Sequence, residues 1–237
     1  IAPDGTYELV LSPERQPGNW IATAPDATSV ITRHYFERPV GIAADPQAGV
    51  RLRIDPVTPP APPGPWSDAA LADRLAAVAR HVRANTLGMP APGQGPDHAF
   101  VSRVPNVLPR PANFRTSGVA TVGAPDIHYA MAPYLLQPDQ TLVMEGRLPP
   151  CRFANVVLWN MHMQTLEYRF RRTSLNRAQM RVADDGRFRV LVAHRDPGEP
   201  DWLDTEGHGL GIVFWRILLP EEEPDEIRCT VTEIGER

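Results

Sequence analysis

Gly211–Leu219 reads GIVFWRILL. Nine residues with almost no polar alternation do not suit a strand with one wet face, so this run predicts a central strand covered on both sides. Upstream, Gln179–Val182 and Phe188–Ala193 flank Asp185-Gly186, a two-residue turn signal that predicts a hairpin. Thr141–Glu145 (TLVME) and Phe153–Trp159 (FANVVLW) read as strands, and Ile227–Ile234 closes the sheet. Towards the N-terminus, Thr6–Ser12 (TYELVLS), Thr28–Phe36 (TSVITRHYF) and Val50–Ile54 (VRLRI) also carry strand signals. The last has strict period-two alternation. Twenty-seven prolines and seventeen glycines favour short strands and turns over long helices. The expected fold is mainly β: a jelly-roll-like antiparallel β-sandwich, one domain over 1–237.

One insertion interrupts it. Pro-rich residues 57–66 form a stiff spacer, 67–86 a helix, and 88–98 a loop. Ser67 suits an N-cap, Asp68 the positive end of the dipole, and Arg80, His81 and Arg83 the negative end. Leu71, Leu75, Val78 and Val82 make one apolar stripe, which predicts a helix lying on a sheet.

The net charge of −4 gives no electrostatic reason for nucleic acid or an anionic membrane. Residues 221–237 hold seven acidic groups against Arg228 and Arg237, leaving a nearly neutral body of 21 acids and 22 arginines. All 24 basic residues are arginine. Without lysine, Schiff-base chemistry, a P-loop lysine and a lysine base are excluded. Two cysteines, Cys151 and Cys229, leave one bridge between late strands open. No run of 18 apolar residues spans a bilayer. With no signal peptide and no initiator Met, the chain is expected to be a soluble fragment without its native N-terminus, from cytoplasm or cell envelope.

Chemistry-bearing residues concentrate between Trp159 and Arg216. Arg169, Arg171, Arg172, Ser174 and Asn176 precede the hairpin; His194, Asp196, Trp202, Asp204 and His208 follow it. RRTSLN (Arg171–Asn176) followed by HRDPGEPDWLDTEGHGLGIVFWR (His194–Arg216) resembles the C-terminal domain of a bacterial family of unknown function, the one numbered twelve-fourteen in the DUF series. Pro3–Phe36 is similar to an earlier part of that family. The resemblance implies a jelly-roll-like fold, often with a companion domain, DUF twelve-fifty-four, and implies no activity.

Read physically, the cluster predicts arginine forks locking Asp196 or Asp204 under the 197–207 loop. Left with a free arginine and Trp159 or Trp202 as an apolar wall, it would bind a small anionic or carbohydrate-like ligand. An alternative is a hydrolase or metal-dependent enzyme using His194, His208, Asp196 and Asp204. Against metal, no H-x-H pair occurs and the spacing from His194 to His208 matches no zinc pattern. A Ser174–His194–Asp204 triad lacks the G-x-S-x-G elbow, and no nucleotide-cofactor motif occurs, so neither metal nor cofactor is expected. A third reading is a structural module whose open edge near Ile1 pairs with an N-terminal segment, a second domain or another copy.

Overall fold

The computed structural model describes residues 1–41, 45, 49–59, 61–90, 94, 98–114 and 123–234. Pro60 of the predicted spacer, and residues 91–93 and 95–97 of the predicted 88–98 loop, lie outside the described residues. The chain forms two compact units, Ile1–Tyr35 and Phe36–Arg237. In the first, β1 (Val10–Ser12) and β2 (Trp20–Ala22) pair in parallel, so the first strand already has one partner.

Among the described residues the second unit holds one helix, α1 (Asp68–Ala84), and nine strands: β3 (Ala112–Asn113), β4 (Ile127–Leu135), β5 (Gln140–Arg147), β6 (Phe153–Trp159), β7 (Ser174–Asn176), β8 (Arg187–Ala193), β9 (Trp202–Asp204), β10 (Leu210–Leu218) and β11 (Arg228–Glu233). Five form a sheet in the order β3-β4-β10-β6-β7, and four another in the order β11-β5-β8-β9. All pairs in these two sheets are antiparallel except β8–β9. The long strands β4, β5, β6, β8, β10 and β11 alternate between the sheets, the connectivity of a jelly-roll-like sandwich.

The two inner faces meet in one apolar core. Trp215 of β10 is fully buried, donates its indole N–H to the Met144 sulfur of β5 at 3.4 Å, and packs on Phe188 of β8 at 4.8 Å. β10 is central, flanked by β4 and β6, as its nearly continuous apolar run requires.

Pro133 disguises β4 in the sequence, because proline donates nothing to a ladder. The chain solves this by side. The Met131, Pro133 and Leu135 backbone faces Phe100–Asn106 instead of β10: Asn106 N–H donates to the Pro133 carbonyl (2.9 Å), and the Asn106 amide brackets Leu135. Pro133 therefore removes no bond from the β4–β10 ladder.

Several expectations are corrected. Thr28–Phe36 and Val50–Ile54 form no strands; Val30, Ile31, Leu52 and Ile54 stay exposed, because alternation builds a strand only where a neighbour completes its ladder. Gln179–Val182 contributes a single bridge, Val182 to Phe188, although the turn itself forms, with Gly186 at φ +86° and its N–H on the Ala183 carbonyl. The helix ends where its caps predict: Ser67 accepts from Ala70 N–H, and Asn85 bonds the His81 carbonyl. It does not lie on a sheet, since every residue of α1 is exposed, Leu71, Leu75, Val78 and Val82 included. Cys151, in the connection before β6, and Cys229, in β11, are free thiols, and burial pushes both up in pKa. Among the described residues no helix is long and apolar enough to cross a membrane.

Candidate functional site

Two loops fold back against each other beside β9. The first, 160–173, leaves β6 and turns on Asn160, whose side-chain oxygen accepts from the N–H groups of His162 (2.9 Å) and Gln164 (3.1 Å). The second runs from β8 to β10. It tightens at Asp196, which accepts from Gly198 N–H at 2.7 Å, and again at Glu206-Gly207, both with positive φ.

Four contacts stitch the loops together. Arg171 donates to Asp204 at 2.8 Å, Asp204 N–H donates to the Arg172 carbonyl at 2.8 Å, and Arg172 donates to the Pro200 carbonyl at 2.5 Å. Glu167 N–H donates to the Glu206 carboxylate at 2.5 Å. The segments around 172 and 204 therefore share one place, as the polar cluster requires.

Between them opens a cleft of about 370 Å³. Asn160, Glu167, Tyr168 and Arg169 line it from the first loop, and Glu206 and His208 from the second. Arg169 closes bidentately on Glu167 at 2.7 and 2.6 Å and holds that carboxyl down to about 2, so it is ionised at neutral pH. Tyr134 runs beneath the second loop with its hydroxyl buried and, among the described residues, unpartnered; burial pushes its pKa up, and the Glu206 and Asp204 charges push it further. Gly211 makes room for that ring, since a Cβ there would lie 2.4 Å from the Tyr134 oxygen.

The remaining predicted residues divide. His194 is fixed between Thr205 (Nδ1 to Oγ1, 2.6 Å) and the Leu136 carbonyl (Nε2, 3.3 Å), so it offers Ser174 no free ring nitrogen. Asp196 is exposed in its turn, and Trp202 donates its indole N–H to the Ala193 carbonyl. Asn176 holds the Phe36 and Arg38 carbonyls, and Ser174 sits in β7 opposite Val157. Trp159 packs on Phe214 at 4.6 Å, and the Arg216 guanidinium lies over both rings at 5.3 and 4.4 Å, on the outer face of the five-stranded sheet. Among the described residues no three His, Cys, Asp or Glu side chains are placed to hold a metal.

Sequence reasoning missed Asn160, Glu167 and Glu206. The Glu206-Gly207 pair at a positive-φ turn was the available signal for one of them.

All of these loop and strand residues fall inside one recognisable stretch. Residues 134–222 match DUF1214, a protein of unknown function. The DUF1214 region thus contains the cleft, both loops and the strands that carry them. A crystal structure of an uncharacterised protein from Burkholderia cenocepacia is similar to this chain, with 29% identity and a TM-score of 0.74. That alignment covers 99% of this chain and 62% of the other, so this chain spans under two thirds of that protein's length. The VPA0106 protein of Vibrio parahaemolyticus matches more loosely, at 12% identity and a TM-score of 0.39 over 72% of this chain and 47% of its own. No curated protein matches the chain.

Proposed function

We propose that this β-sandwich binds a small polyhydroxylated, carbohydrate-like molecule in the cleft between the 160–173 and 205–208 segments. The supporting observation is the convergence of Glu167 and Arg169 from one loop with Glu206 and His208 from the other around a space of about 370 Å³. That volume is within the usual range for small-molecule sites. Two carboxylates, an amide and an imidazole offer acceptors and donors suited to hydroxyl groups, and half-exposed Tyr168 offers a ring face. An anionic ligand fits this cleft less well, because Glu167 and Glu206 both face it and Arg169 is already committed to Glu167.

Thermal-shift titration with a panel of neutral and acidic sugars tests this. The expected result is a neutral sugar that raises the unfolding midpoint, an effect lost in His208→Ala while the unliganded midpoint stays in place. The proposal fails if only acidic sugars act, if none does, or if His208→Ala responds like the wild type.

A further inference from the structure

Away from the cleft, at the end of the four-stranded sheet, lies an open groove of about 920 Å³ lined by Arg147, Arg181, Arg187, Arg189 and Arg228. Among the described residues only two carboxylates line it, Glu145 and Asp225. The strand registers explain the crowding. Arg147 stands directly opposite Arg187, and Glu145 stands between Arg189 on one side and Arg228 on the other. Like charges at directly opposed positions destabilise a sheet, so the Arg147–Arg187 pair works against the fold that carries it. Such local conflicts concentrate where a protein serves function.

The charges are incompletely answered within the chain. Glu145 alone serves two arginines, Arg228 at 2.7 Å and Arg189 at 3.3 Å. Arg147 is held by Glu222 and Asp225 from the acidic run at 221–226, and Arg187 by Asp185 of its own turn. Arg181 is anchored through its backbone, whose N–H donates to buried Asp201 at 2.6 Å. Among the described residues its guanidinium has no ion-pair or hydrogen-bond partner. Counting Asp185 and Glu222 with the lining groups, five guanidinium groups still outnumber four carboxylates.

We propose that this groove binds a small oxyanion carrying several phosphate or carboxylate groups. Its forks come from four separate segments, so a ligand with more than one anionic group engages several at once, each fork matching an oxyanion bidentately. The exposed pairs it would displace are individually weak. The acidic run bordering the groove repels an extended polyanion, which selects a small ligand over nucleic acid.

Calorimetric titration of the whole chain with inorganic tripolyphosphate and with citrate, at low and high salt, decides the matter. Saturable, salt-weakened binding of either supports the site, and the tighter of the two assigns phosphate or carboxylate. Arg181→Gln combined with Arg189→Gln should weaken it at least tenfold. Arg83→Gln, which removes the same kind of charge from α1, should leave it unchanged. Should the double variant not fold, Arg181→Gln alone suffices, since that guanidinium has no partner among the described residues to lose; it should weaken binding about threefold or more. Failure of both anions to saturate, wild-type affinity in the groove variants, or equal weakening by Arg83→Gln overturns the proposal. The groove and the cleft share no lining residue, so each can fail alone.

Discussion

Arg169, Arg171 and Arg172 in the late loop and the five arginines of the groove bear the same charge and spend it differently. Each loop arginine closes on one group of its own neighbourhood: Glu167, Asp204 or the Pro200 carbonyl. The groove arginines share carboxylates, stand opposite one another across a ladder, or, in Arg181, hold none among the described residues. A cluster of arginines is thus not one kind of site. Where each fork has its own acceptor it pins the chain; where forks outnumber acceptors it is open to a ligand.

Both regions hang on one core, and the largest effect breaks both together. Trp215→Ala empties a fully buried site between the sheets and should cost about 3–5 kcal/mol in denaturant unfolding. Removing a loop arginine sharpens the contrast. Arg171→Met leaves Asp204 buried with, among the described residues, only the Glu206 N–H as its remaining donor and should cost about 1–2 kcal/mol; the half-exposed arginine site admits water and keeps the value low. Arg189→Gln, at an exposed groove pair, should change stability by less than about 0.5 kcal/mol. Equal costs at 171 and 189 would erase the distinction. The smallest effect concerns pH. Glu167 is depressed in the folded state, so whatever its pairing contributes is present above the unfolded carboxyl range and is lost as pH falls towards about 2. Acid titration by NMR should find Glu167 titrating at about 2, and Arg169→Gln should return it towards the ordinary glutamate range.

Much of the sandwich is legible in the chain. Phe153–Trp159 coincides with β6, and the GIVFWRILL run lies within one residue of β10, because a central strand largely covered on both faces must be mostly apolar. β4 escapes because Pro133 looks like a strand breaker until the side its nitrogen faces is known. For the site, the meeting of Arg171 with Asp204 is readable from the density of forks and carboxylates, whereas the cleft's Glu167 and Glu206 are not. Trp159 and Arg216, the two limits of that dense stretch, turn out to share the outer sheet face with Phe214. Strand parity explains this: residues of alternate position point to opposite sides.

The amino-acid order alone determined a few local features: the caps of α1, the Asp185-Gly186 turn, the central place of β10 and the absence of lysine chemistry. These rest on neighbours within a few residues, which the chain carries with it. What covers each element was decided only by assembly. The stripe of α1 stays exposed, while an equally apolar β10 is enclosed. The groove exists because β5, β8 and β11 pair in one register, and sliding any of them by one residue would turn its arginines to the other face.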